Sequence, residues 1–224
     1  MNNASVSVRK PGRPADPTLA DRRREEILDA AVKLFARHGF TETDTQVLAN
    51  KLQVGKGTIY RYFCSKEELF LAAVDRVMRQ LRQKVDAVIA EVEDPLQAIA
   101  LAIRTFLTFV AQNPDLVELL IQERAQFKDR KKPTYFEYRE ASLERWKAVY
   151  RDLIARGRVR DIPVERMTDV IGDLVYGTMF TNYFNGPRKP PAEQAQDILD
   201  IVFQGILTEP GRKQWTGPIA KQEK

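Results

Sequence analysis

Cysteine and histidine each occur once in this chain, as Cys64 and His38. A single thiol cannot close an internal disulfide, which suits a reducing cytoplasm. Neither residue has the neighbours that a metal site or a nucleophilic Cys–His pair requires, and no glycine-rich phosphate loop is present, so no cofactor is expected. Long apolar runs are missing too. No segment approaches the ~20 residues that span a bilayer, and residues 1–10 lack the apolar stretch of a secretory signal. Strand-like alternation and internal repeats are also absent. These gaps argue against a disulfide scaffold, a membrane protein and most catalytic constellations. Carboxylate chemistry stays open, because Asp and Glu are abundant.

What is present is charge, unevenly placed. Of the 224 residues 43% are hydrophobic and 30% charged, the balance of a globular chain with one large or two modest domains. Residues 1–66 hold 12 Lys/Arg against 7 Asp/Glu, whereas the rest hold 24 of each. The positive excess therefore coincides with the segment Thr45–Phe63, which reads as two short helices around a tight turn. Leu48, Ala49 and Leu52 share a face of the first helix, Val54 fills the gap, and Gly55 is expected to permit the turn. The second helix presents Lys56, Thr58, Arg61 and Tyr62 around Ile59 and Phe63, a set of groups suited to a DNA major groove. An ordinary helical hairpin with a solvated basic face is the alternative on spacing alone.

Other signals place the remaining elements. Residues 1–16, with Arg9, Lys10 and Arg13, read as a flexible basic arm that either enters a minor groove or adds only non-specific attraction. A first helix is expected from Asp21, with Ile27, Leu28, Ala31, Leu34 and Phe35 inward and Gly39 just past its end. Asp44 caps the second helix. Ser65 and Glu68 form a capping box for a long fourth helix, which leaves Lys66 in its first turn, either near a phosphate or simply solvated. Pro95, Pro163 and Pro191 open later helices, and Asn113-Pro114 is a break before a helix expected over Leu116 to Phe127. Lys128–Pro133 is expected to be a solvated, mobile connection, and residues 209–224 a frayed tail. The implied organisation is all-α, with a helix-turn-helix unit over 17–66 and a second helical unit over 67–208.

The stretch from Ile27 to Leu69 resembles the tetracycline-repressor (TetR) family of bacterial transcription regulators. The matching residues are Ile27–Ala31, Leu34-Phe35, Gly39-Phe40, Leu48-Ala49, Val54–Tyr60, Tyr62-Phe63 and Ser65–Leu69. The family's usual Ala-Gly-Val-Ser turn is here Leu52-Gln53-Val54-Gly55, without the serine hydroxyl that caps the third helix. The resemblance implies a three-helix DNA-binding unit followed by a regulatory unit of about six helices, here 67–208, and a cytoplasmic homodimer on a palindromic operator. It also implies DNA-facing roles for Thr45, Lys56, Gly57, Thr58, Tyr60, Arg61, Tyr62 and Lys66. Tyr60, Tyr62 and Lys66 would touch phosphates, and Thr58 and Arg61 would reach bases. The last two helices, about 164–185 and 191–208, would form the dimer interface through Val170, Ile171, Leu174, Gly177, Ile198, Ile201, Val202 and Gly205. Gly172, Gly177 and Gly205 inside those helices fit a close crossing, though tolerated glycines with no packing role are the alternative.

Aromatic side chains in the second unit offer candidates for an effector pocket: Phe106, Phe109, Phe127, Trp146, Tyr150, Tyr176 and Phe180. Core packing explains each of them as well. The functional expectation is a repressor released by a small lipophilic or aromatic ligand. An activator or architectural regulator without an effector is the alternative, and a small helical enzyme is disfavoured.

Overall fold

The structure, a computed structural model, describes residues 17–205. The expected N-terminal arm, Ile206 of the last helix and the expected tail lie outside the described residues. Among the described residues there are nine helices and no strand. They divide into two compact units, one ending at Ala73 and one starting at Val74.

The first unit comprises α1 (Pro17–Glu42), α2 (Thr45–Lys51), α3 (Lys56–Tyr62) and the opening turns of α4 (Lys66–Ile89). Helix α1 begins a turn before the expected Asp21, because a proline is tolerated at the first helical position. It is interrupted at Gly39, whose φ of +79° breaks the helical path. Ile27, Leu28, Phe35, Leu48, Ile59 and Phe63 are fully or almost fully buried between the helices. Phe35 and Phe70 meet edge-to-face at 5.1 Å, a geometry that adds to their burial. Asp44 caps α2 by accepting from the Gln46 N–H at 2.8 Å. Ser65 Oγ accepts from the Glu68 N–H at 3.0 Å, as a capping box requires. The Glu68 carboxylate, however, takes the Cys64 N–H at 2.7 Å rather than that of Ser65.

The turn between α2 and α3 departs from the expectation. Gly55 sits at φ −72°, ψ 146°, open to any residue. The left-handed position belongs to Gln53, φ +53°. Helix α3 starts without a side-chain cap, since Gly55 has none to offer.

The second unit contains the rest of α4 and α5 (Pro95–Gln112), α6 (Pro114–Gln126), α7 (Thr134–Ala155), α8 (Val164–Asn185) and α9 (Pro191–Gln204). Helix α5 packs on α8 and α9. Ile99, Ile103 and Leu107 meet Tyr150, Leu153, Val175 and Leu199 there. By length and composition α5 is apolar enough to cross a membrane, contrary to the expectation that no segment comes close. With 44% of it buried inside the fold, it is a core helix with apolar residues on several sides.

The α6–α7 connection is not the loose segment expected. Glu123, 1% exposed, accepts from the Thr134 N–H at 2.9 Å and from the Thr134 hydroxyl at 2.8 Å. Arg130 bonds the same carboxylate and also reaches Glu137 at 2.9 Å. Lys132 pairs with Glu140. A buried carboxylate needs compensating donors, and the connection delivers them to Oε1, while Oε2 has no hydrogen-bond partner among the described residues.

Candidate nucleic-acid interface and effector cavity

Helix α3 brings Lys56, Gly57, Thr58, Tyr60, Arg61 and Tyr62 onto seven consecutive residues with no acidic side chain among them. Ile59 is buried and anchors the helix, while Gly57, Tyr60 and Arg61 are exposed. Beyond its chain neighbours and the backbone of α3 itself, no atom lies within 4 Å of where a Cβ on Gly57 would stand. Arg61 has no acidic partner among the described residues and lies 5.4 Å from the Tyr62 ring centroid. Lys56 bonds Asp44 at 3.2 Å. The Gln46 amide and then Lys56 hold the Asp44 carboxyl below its ordinary pKa.

Two of the expected contact residues are engaged differently. Thr45 is buried, only 3% exposed, so it cannot offer its side chain to a partner as the resemblance implied. Its hydroxyl instead shares a 3.1 Å hydrogen bond with the Tyr60 phenol, which positions that ring. Lys66 donates to the Thr41 carbonyl at 2.8 Å and lies 4.9 Å from the Phe40 ring centroid. It ties the end of α1 to the start of α4.

The second unit encloses a cavity of about 200 Å³ walled by α4, α5, α7 and α8. Phe106, Trp146 and Tyr150, three of the sequence candidates, line it. Phe109 does not, being buried in the core. Phe127 follows the end of α6, away from the wall. Tyr176 and Phe180 belong to an aromatic cluster with Tyr135, with Tyr176–Tyr135 centroids at 4.7 Å and Tyr176–Phe180 at 4.8 Å. Sequence reasoning missed the aliphatic contribution of Met78, Leu81 and Val85 from α4, and the charged groups Arg82, Asp86, Arg139 and Arg145. It also missed Gly172, where an added Cβ would stand 2.9 Å from the Arg139 guanidinium. Gly172 therefore admits a side chain of its own subunit rather than a crossing helix. Burial raises the pKa of Tyr150 and of Tyr135 above the ordinary phenol value.

Residues 27–73 match the family described as bacterial regulatory proteins, tetR family. Over that segment the chain is similar to the TetR family. The transcriptional repressor NicS of Pseudomonas putida is 31% identical over 104 residues, which are 46% of this chain and 49% of NicS. The chain spans about half the length of the curated relatives it matches. The regulator FadR of Bacillus subtilis, solved with stearoyl-CoA, has a TM-score of 0.68 at 21% identity, covering 82% of this chain and 99% of its own. A transcriptional regulator of Saccharomonospora viridis, solved with choline, has a TM-score of 0.69 at 18% identity, covering 81% of this chain and 96% of its own. Both show that the fold is shared. NicS and these neighbours are regulators rather than enzymes.

The expected interface residues on α8 and α9 fall into two groups. Val170, Leu174 and Ile201 are 52%, 41% and 53% exposed. Gly177 is also exposed, and Val202 is half-buried. Ile171 and Ile198 instead turn inward against the core, and Ile171 also lines the cavity. Gly205 is not inside a helix. Its φ of +77° places it at the end of α9, as a terminator. Phe184 and Phe203, 67% and 41% exposed, were not anticipated.

Proposed function

We propose that the protein is a ligand-responsive transcriptional repressor that binds a two-fold symmetric operator as a cytoplasmic homodimer. The observation that carries this reading is α3: a helix with cationic, hydroxyl and phenolic groups outward, no acid, and a glycine that leaves its backbone open to close approach. Arg61 and Thr58 are the base-reading candidates, while Lys56, Tyr60 and Tyr62 contact phosphates. Lys66 supports the frame, with its charge still adding to the local field. The exposed apolar residues of α8 and α9 are the proposed dimer face, since large unpaired apolar surface marks an interface.

Release follows from a population shift. A dimer on B-DNA presents its recognition helices about 34–36 Å apart. Helix α4 supplies Met78, Leu81 and Val85 to the cavity and Leu69 and Phe70 to the first unit's core. A small lipophilic or aromatic ligand that prefers another setting of α4 disfavours the binding spacing, with a coupling of about 1–3 kcal/mol.

The deciding experiment is selection of bound fragments from random duplex DNA by the purified protein. A two-fold symmetric consensus is expected, with binding that falls steeply as salt rises. A folded protein that selects no sequence at low salt would overturn the reading.

A further inference from the structure

The cavity's polar groups are unevenly used. Three of its hydroxyls have already donated their protons: Tyr138 to Asp75 at 2.7 Å, Ser142 to the Tyr138 carbonyl at 3.1 Å, and Thr168 to the Val164 and Glu165 carbonyls at 3.0 and 2.9 Å. Arg139 is matched by two carboxylates, Asp173 at 2.7 Å and Asp169 at 3.6 Å.

Two sets of donors remain. Arg82 and Arg145 both line the cavity and share Asp86, their one acidic partner among the described residues. Each guanidinium carries five N–H donors, so the trio holds more donors than Asp86 can accept and keeps one net positive charge. Tyr150, 3% exposed, lines the same cavity, and its hydroxyl has no hydrogen-bond partner among the described residues. The phenol oxygen is not among the sealed, unpartnered atoms of the core, so it stands open to an acceptor held in the cavity.

The remaining wall is apolar, with Leu81, Ile103, Phe106, Trp146 and Val175. The void of about 200 Å³ is a little larger than the ~150 Å³ cavities that take benzene, and smaller than pockets for drug-sized ligands. A ring with one or two substituents fills this space. A cation would meet the surplus positive charge, whereas a carboxylate offers two acceptors in the geometry that guanidinium groups bind bidentately.

Building on the effector reading above, we infer that the occupant is a compact organic monoanion, an aryl or short-chain carboxylate. Its charge is held by Arg82 and Arg145, and its far end accepts a hydrogen bond from Tyr150.

The test is calorimetric titration of the full chain without DNA, with quenching of Trp146 fluorescence, read in a Trp215→Phe background, to localise binding. The probes are benzoate, 4-hydroxybenzoate and octanoate, the neutral benzamide and octanamide, and choline. The acids are expected to bind at least tenfold more tightly than the matched amides. Arg145→Gln brings that ratio close to one without loss of the folded state, and Arg82→Gln does the same should the first variant not fold. 4-Hydroxybenzoate is expected to exceed benzoate, and Tyr150→Phe to erase the difference. Amides as tight as acids, preference for choline, or no binding by any probe would overturn the inference. Because ligand binding is read without DNA, such a failure is distinct from failure of the operator reading, which the fragment selection decides.

Discussion

Backbone strain in the helix-turn-helix rests on Gln53, the one non-glycine described residue with a positive φ, while Gly55 two positions later has no need of its freedom. Holding an L-residue in the left-handed region costs about 1–2 kcal/mol, so Gln53→Gly is expected to stabilise the first unit by about 1 kcal/mol. Gly55→Ser meets open space and supplies the missing cap for α3, worth a few tenths of a kcal/mol. Urea melts of both variants check this, and a lowered midpoint in either would contradict it. The sequence placed the turn correctly but assigned the strain to the wrong residue, because composition identifies where a glycine stands and not which φ the chain adopts there. Tyr60 and Thr45 show the same limit. Both are polar and adjacent to the turn, yet the former is 39% exposed and the latter 3%. Tyr60→Phe is therefore expected to weaken operator binding several-fold with the fold intact, by freeing the ring from Thr45 as well as removing a donor. Equal affinity for operator in a gel-shift titration would rule that out.

At the scale of elements, starts and stops were readable wherever a single residue sets them. Asp44, Asp94 and the prolines at 95, 114 and 191 open helices by satisfying or dispensing with orphan N–H groups. The α6–α7 strap was not readable, since its logic is a buried carboxylate whose partners lie 7 and 11 residues away. Arg130→Ala leaves Glu123 buried with its cation gone and is expected to cost about 3–5 kcal/mol. Glu123→Leu combined with Arg130→Met removes both charges and should cost much less. Thermal melts of the two variants discriminate the strap from a solvated loop, for which both changes would be near neutral. Two interhelical phenols add a pH dependence. Tyr138 donates to Asp75 and Tyr183 to Glu118, and each has its pKa pushed up to about 12, the first mainly by desolvation and the second mainly by its carboxylate partner. A phenol that ionises near 10 when unfolded and near 12 when folded contributes stability that is complete below pH 10 and lost as the pH climbs towards 12. Tyr183→Phe is expected to flatten part of that alkaline decline in melting temperature.

Over the whole molecule, the concentration of positive charge in the first 66 residues predicts that the logarithm of the affinity for generic duplex falls linearly with the logarithm of salt concentration. The exposed residues of α8 and α9 predict that Leu174→Glu with Ile201→Glu yields a folded monomer by sedimentation and loses operator affinity. A dimer that survives both charges would move the interface elsewhere. Fold class and the helix proposed to face DNA were legible from periodicity and motif, but the cavity was only half so. Helical spacing separates inward from outward faces, and core and cavity share the inward one. Phe109 and Phe106 therefore look alike in sequence, although only Phe106 reaches the void. The charged wall escaped notice because its arginines come from α4 and α7, far apart in the chain. One small position on that wall has wide reach. An alanine at Gly172 would push the Arg139 guanidinium sideways while improving the intrinsic helicity of α8, so the variant remains sturdy but offers a differently shaped chamber. Sister proteins that drift between methyl and hydrogen at this one site could thus answer to different chemical signals while reading the same promoter.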